Sequence, residues 1–351
     1  MNTNFMIYGA NGYTGELIAR EAVRRGLKPL LAGRNQEQIE SLAKELGLVS
    51  RVFGLNNLNQ VVENIKGSKV VLHCAGPFSA TSKPMMEACL KAGSHYLDIT
   101  GEIDVFELAQ SLNTQASDAG IVICPGVGFD VIPTDCVAAA LKEALPDATH
   151  LALGFDSKTG LSPGTAKTST EGMAHGGKIR QNGKIITVAL AHKIRRIDFG
   201  AGEKSAMAIP WGDVSTAFYT TGIPNIEVYI PAPTAMIVGT KLTNLVKPLF
   251  KIPAVQKLLK SLIGKSVTGP NEELRAKQPT FVWGEVRNAR GQVKTARVQT
   301  INAYSLTITG SLAVTEYLLN NQPQGGAYTP AKLVGAELVT RLPGSGTIKI
   351  S

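Results

Sequence analysis

The sequence predicts an α/β fold: an N-terminal Rossmann-type doubly wound parallel sheet, an inserted α+β domain with an antiparallel sheet, and C-terminal helices returning to the first half. Three observations carry this. Short apolar runs alternate with helical periodicity through the first 150 residues. After residue 150 the pattern changes to strand pairs joined by turn residues. At 351 residues the chain exceeds one core of ordinary size, while 44% hydrophobic and 18% charged residues keep it in the globular range. The expected domains are 1–148, 149–304 and 305–351.

In order, residues 5–9 read as a strand and 12–25 as a helix through Leu17, Ile18 and Val23. Residues 29–32 follow as a strand and 36–46 as a helix. Residues 70–74 lack polar alternation, as in a strand covered on both faces. Helices are expected at 84–92 and 105–119, with strands at 96–99 and 121–124. Beyond the midpoint, 150–155 reads as a strand and 178–188 as a hairpin turning on Asn182-Gly183. A second hairpin joins 281–286 to 293–298, and helices are expected at 306–319 and 330–342.

The sharpest local signal is Gly9-Ala10-Asn11-Gly12-Tyr13-Thr14-Gly15, between the first strand and first helix. Gly9 allows a tight turn, Gly12 lets backbone approach a pyrophosphate, and Gly15 lets the helix sit close to the sheet. The pattern therefore predicts a dinucleotide site, with Asn11, Tyr13 and Thr14 as further contacts. At the end of the second strand, where NAD-binding domains usually carry an acidic residue, the chain has Gly33-Arg34-Asn35. Arg34 can pair with a 2′-phosphate and Asn35 can donate to it, so NADP(H) is the expected cofactor.

Three more stretches extend the pattern: Cys74-Ala75-Gly76-Pro77-Phe78; Ala88 to Gly93 leading into Tyr96-Leu-Asp-Ile-Thr-Gly101-Glu102; and Pro125-Gly-Val-Gly-Phe-Asp130 on to Asp135. Together with the glycine loop and the arginine corner they resemble the saccharopine dehydrogenase-like oxidoreductases, in the branch that includes trans-acting enoyl reductases of lipid biosynthesis. Tyr328-Thr-Pro-Ala-Lys332 and Gly335 look similar to that family's ending. The resemblance implies an NADPH-dependent oxidoreductase with a second domain inserted before the final helices. Ala75, Gly76, Pro77, Phe78 and Gly101 then belong with the cofactor loops. Glu102 and Asp130 are the candidate catalytic acids, with Tyr13 and His175 behind them.

The net charge of +9 suits an anionic partner. Between Glu227 and Glu272 there is no acidic residue, while Lys241, Lys247, Lys251, Lys257, Lys260 and Lys265 accumulate. Leu242, Leu245, Val246 and Leu249, then Val255, Leu258, Leu259 and Leu262, recur at helical spacing. Two readings stand side by side. Residues 241–265 form basic amphipathic helices on a membrane or acyl carrier, or they pack on the domain or at a homodimer interface. With 6% aromatics and no recognition motif, nucleic acid is a poor account of the charge. There is no GxSxG elbow for serine hydrolysis. Cys74, Cys89, Cys124 and Cys136 are too scattered for a metal site, and no apolar run approaches a bilayer span, so a cytoplasmic protein is expected, with peripheral membrane contact through 241–265 left open.

The expected activity is hydride transfer to a C=C, C=O or C=N bond of a lipid-like acyl substrate. Saccharopine fits less well, because no arginine cluster awaits its carboxylates. The competing expectation is a non-catalytic NADP(H)-binding, membrane-associated sensor or scaffold.

Overall fold

The computed structural model describes residues 4–157, 176–246 and 278–351. The chain divides into two compact units, Met1–Ile132 with Tyr304–Leu338, and Pro133–Ala303 with Val339–Ser351.

In the first unit, β1 (Phe5–Tyr8), β2 (Leu30–Gly33), β3 (Ser50–Val52), β4 (Val70–His73), β5 (His95–Asp98) and β6 (Val122–Cys124) lie in the order β6-β5-β4-β1-β2-β3, all parallel. A two-residue strand, Gly326–Ala327, adds a seventh position beside β6. This is the Rossmann order, with its crevice where the sequence reverses direction between β1 and β4. Helices α1 (Tyr13–Arg24), α2 (Gln36–Leu46), α3 (Leu58–Ile65), α4 (Phe78–Ala92), α5 (Ile103–Ser111) and α6 (Asn113–Asp118) make the connections. Met6, Val71, Tyr96 and Ile123 of the sheet pack with Val61, Met85, Met86, Cys89 and Val105 in one buried cluster.

Two local expectations change. Helix α4 begins at Phe78 rather than 84, and Pro84 sits inside it. A proline interrupts only the bonds of its own turn, and the helix start is fixed elsewhere, by the Glu102 contacts described below. The helix expected over 105–119 is two, because Leu112 leaves helical geometry (φ −91°, ψ 4°).

The second unit opens with α7 (Ile132–Ala144), so the unit boundary falls before this helix instead of after residue 148. Its sheet contains β7 (Ala148–Ser157), β8 (Gly177–Gln181), β9 (Lys184–Val188), β10 (Ile194–Asp198), β11 (Glu203–Ile209), β12 (Asn225–Pro231), β13 (Thr280–Asn288) and β14 (Val293–Thr300). The main path runs β10-β11-β12-β7-β13-β14, with the β8–β9 hairpin attached to β12. The sheet is mixed rather than wholly antiparallel. Helix α8 (Asp213–Thr221) returns the chain so that β12 enters beside β7 in the same direction. The β8–β9 turn is the expected one, with Asn182 and Gly183 both at positive φ (49° and 79°). Helix α9 (Thr234–Val246) ends the described part of this stretch.

One face of the sheet receives α7. A Cβ at Gly284 would come within 2.6 Å of Val137 and 2.7 Å of Leu141, so strand and helix are in direct contact. The other face is covered by the sheet itself, because the β10–β11 hairpin curls back over it. Phe199 lies on Gly154 and 6.4 Å from the Trp283 ring. The Arg195 guanidinium stacks over Tyr229 and Trp283 and pairs with Glu285 at 2.8 Å. Arg297 Nε donates to the Asp198 carbonyl at 2.8 Å.

Helix α10 (Ala303–Asn320) returns the chain to the first unit, followed by β15 (Gly326–Ala327), α11 (Pro330–Val334) and α12 (Leu338–Arg341). The last residues do not stay there. From Val339 the chain belongs to the second unit, where β16 (Lys349–Ile350) pairs antiparallel with β14. The continuous helix expected over 330–342 is broken at Gly335 (φ 110°). All four cysteines are free thiols. Burial pushes the Cys74 and Cys89 thiols well above their ordinary range. Among the described residues no helix is long and apolar enough to cross a membrane.

Phe199→Ala removes the side chain that seals the curled hairpin on the sheet. It is expected to lower unfolding free energy by about 3 kcal/mol or more in urea denaturation.

Candidate functional site

The site gathers at the carboxyl ends of β1, β2, β4, β5 and β6. Strand β1 ends at Tyr8, and Gly9 (φ +83°) turns with its N–H on the Ala32 carbonyl at 2.7 Å. A Cβ at Gly9 would fall 2.7 Å from the Ala75 nitrogen, so β1 and the β4 loop meet too closely for any other residue. At Gly15 a Cβ would strike the Gly9 carbonyl oxygen. Gly12 is exposed and starts α1 without a side-chain cap, while Tyr13, Thr14 and Gly15 form the first turn. Loop and helix end thus make a backbone cradle suited to a pyrophosphate.

The arginine corner adjoins this cradle. A Cβ at Gly33 would lie 3.0 Å from Asn11 Oδ1 and 2.9 Å from Ile39. Asn11 Nδ2 donates to Gln38 Oε1 at 2.7 Å, and the Gln38 N–H donates to Asn35 Oδ1 at 3.1 Å. Asn35 is therefore the N-cap of α2, a role its position beside a helix start could have suggested. Arg34 is exposed, and its charge reaches Tyr8, whose phenol burial pushes up and Arg34 draws back down. Glycines that a side chain would fill and an exposed guanidinium are the features an NADP(H) site needs.

The β4 loop holds Ala75, a cis Gly76–Pro77 peptide and Phe78. Thr81 Oγ1 lies 2.7 Å from the Ala75 carbonyl, which it bonds, and 3.0 Å from His73 Nε2. His73 is fully buried against Tyr8 and Phe78, and burial pushes its imidazole down to about 3, so it stays neutral. The Phe78 and Ser79 N–H groups donate to Glu102 Oε1 and Oε2 at 3.0 and 2.7 Å. Both oxygens of this candidate acid are thus engaged in fixing the start of α4.

A residue outside the sequence-derived candidates organises the next two loops. Asp98, fully buried at the end of β5, accepts from the Tyr96 hydroxyl at 2.6 Å, from Thr100 N–H at 3.0 Å and from Gly126 N–H at 2.9 Å. Burial raises its carboxyl to about 6 although these bonds oppose the rise. The signal was a carboxylate inside an otherwise apolar strand, which must be partnered there. Asp130 lies on the β6 loop, half-buried and close enough that a Cβ on Gly101 would meet its Oδ2 at 2.8 Å. Burial raises the Asp130 carboxyl to about 6.

Helix α10 adds two further residues that the sequence did not single out. Tyr304 meets the Tyr13 ring edge-on at 5.5 Å, and Thr307 Oγ1 accepts from Phe129 N–H at 3.0 Å. His175 lies outside the described residues. Asp135 is buried in α7 and accepts a hydrogen bond from Thr220, a packing role. No cluster of metal-ligating side chains occurs among the described residues.

Residues 5–124 match the family model of the saccharopine dehydrogenase NADP-binding domain. The first 124 residues are thus similar to that family's nucleotide-binding domain. NADP(H) is thus the cofactor of its first unit. The human saccharopine dehydrogenase-like oxidoreductase is 29% identical over 154 residues, covering 38% of this chain and 35% of the relative. A trans-acting enoyl reductase of Mycobacterium ulcerans is 30% identical over 183 residues, 48% of this chain and 44% of the relative. The matches thus span less than half the length of these curated relatives. Apo saccharopine dehydrogenase (L-Glu forming) from Saccharomyces cerevisiae superposes with a TM-score of 0.68 over 99% of this chain and 100% of that one, at 12% identity. That likeness shows a shared fold.

Asp98→Ala leaves two buried N–H groups and a phenol unpaired and is expected to destabilise by about 3 kcal/mol or more. In the native protein Asp98 binds its proton more tightly than in the unfolded chain. Its contribution to stability is therefore present below about pH 4 and is lost as pH rises to about 6. Denaturation of wild type and Asp98→Asn at pH 4.5 and 7, expected to show the smaller pH slope in the variant, checks the sign.

Proposed function

We propose that the chain is an NADPH-dependent reductase acting on a polarised C=C, C=O or C=N bond of a lipid-like acyl substrate. The observation that carries this reading is the half-buried Asp130 carboxyl against Gly101, at the rim of the cofactor loops, with its acidity moved close to neutrality. NADPH, when bound, supplies the hydride. Gly9, Asn11, Gly12, Tyr13, Thr14 and Gly15 would hold the pyrophosphate. Gly33, Arg34 and Asn35 would hold the 2′-phosphate, Asn35 through its amide nitrogen because its oxygen serves Gln38. Ala75, Gly76, Pro77, Phe78 and Gly101 would line the nicotinamide half. Asp130 would deliver the proton, and Glu102 would act as a positioning residue through α4. The named enoyl reductase relative supports the acyl class. A peripheral membrane contact through residues 241–265, of which 241–246 lie in α9, is the partner added to this reading.

Titration with NADPH and NADH tests the cofactor half. Arg34→Ala is expected to weaken NADPH binding by roughly ten- to a hundredfold, about 1.5–3 kcal/mol, with NADH binding little changed. The catalytic half is read from pH profiles. With enoyl, carbonyl or imine acceptors, kcat/KM should fall as pH rises through about 6. Asp130→Asn should lose that limb and at least about a hundredfold in rate. Tight NADPH binding with no turnover of any such acceptor would favour the non-catalytic sensor or scaffold instead.

A further inference from the structure

Among the described residues, helix α9 meets the second unit through Ile237 and Asn244. Ile237 packs with Ala191, Met207 and Ala232. Asn244 accepts from the Leu190 N–H at 2.8 Å and donates to the Leu190 carbonyl at 3.1 Å. On the neighbouring side, where an amphipathic helix of a globular domain carries polar residues, Val238, Leu242 and Leu245 follow at helical spacing. They are exposed, Leu242 at 57% and Leu245 at 80%. Lys241 is exposed beside them. The sequence from Val228 to Asn271 holds six lysines and no acidic residue.

We propose that this outer side of α9 docks on an anionic phospholipid bilayer, with Val238, Leu242 and Leu245 entering the headgroup–acyl boundary and Lys241 beside the headgroups. The proposal rests on the peripheral-contact reading and moves its centre from the lysines to the apolar stripe. Charge decides between the occupants. A symmetric pairing of two copies brings two acid-free, lysine-bearing stretches together, whereas an anionic surface attracts them. Size points the same way. Three side chains on one helix fall well short of the roughly 800 Å² per partner of a stable protein interface, yet suffice for interfacial lipid binding when basic charge assists.

The test is flotation of the full chain with vesicles of phosphatidylcholine alone and of phosphatidylcholine with phosphatidylglycerol. Wild type is expected to float with the anionic vesicles and far less with the neutral ones. Leu242→Ser with Leu245→Ser should weaken the anionic partitioning at least about tenfold, leaving NADPH affinity and circular dichroism unchanged. If wild type fails to float with anionic vesicles, the peripheral-contact reading falls together with this one. Equal flotation of the double variant would leave that reading standing and overturn the role of α9. A wild-type dimer that the double variant dissociates would make the stripe an interface between copies, and would also overturn the lipid assignment.

Discussion

The first unit is organised by one close approach, where the end of β1 passes the start of the β4 loop with no room for a Cβ at residue 9. That contact fixes where the two halves of the parallel sheet part, and so where a crevice can open at their carboxyl ends. Gly15 extends it by letting α1 rest against the Gly9 carbonyl. The remaining loops of this edge are held by hydrogen bonds: Thr81 on the β4 loop, Glu102 on the start of α4, and Asp98 across the β5 and β6 loops. Each of these is a polar side chain facing backbone groups that no sheet ladder satisfies. The loops that would surround a nicotinamide are therefore set before any ligand arrives, the condition for aligning a donor and an acceptor without further ordering.

The second unit solves a different problem. A sheet covered by helices on one face must protect the other, and here the β10–β11 hairpin does it by folding across its own sheet. Phe199, Trp283 and Tyr229 supply apolar area, and Arg195 closes the layer by stacking on two rings while its charge is matched by Glu285. A lysine in place of Arg195 would keep the charge and lose the planar stacking.

Legibility in the sequence tracks the range of the interactions involved. The glycine loop, the Asn182-Gly183 turn and the β13–β14 hairpin are local, dictated by residues a few positions apart, and they occur where the spacing predicts. The β10–β12 strands carry weaker patterns, because polar residues in and beside them are satisfied by distant partners. Arg297 bonding Asp198 is one case and Lys193 pairing with Glu227 is another. The site divides in the same way. Gly9 to Gly15 and the 33–35 corner are readable in one line of sequence, whereas Tyr304 and Thr307 reach the same loops from nearly three hundred and nearly two hundred residues away. Asp98 could have been found from its apolar strand, but its partners on the β6 loop could not.

Cys89 lies sealed in the core of the first unit, fully buried, its thiol kept protonated by its surroundings. Nucleophilic attack requires a thiolate and access, and the native packing denies both. An alkylating reagent must therefore wait for the sheet and α4 to separate. The rate at which Cys89 is modified becomes a clock for local opening of the nucleotide-binding half. A bound dinucleotide that braces the loops above α4 would slow that clock, so the chain carries its own reporter of cofactor occupancy in a residue remote from the cofactor loops.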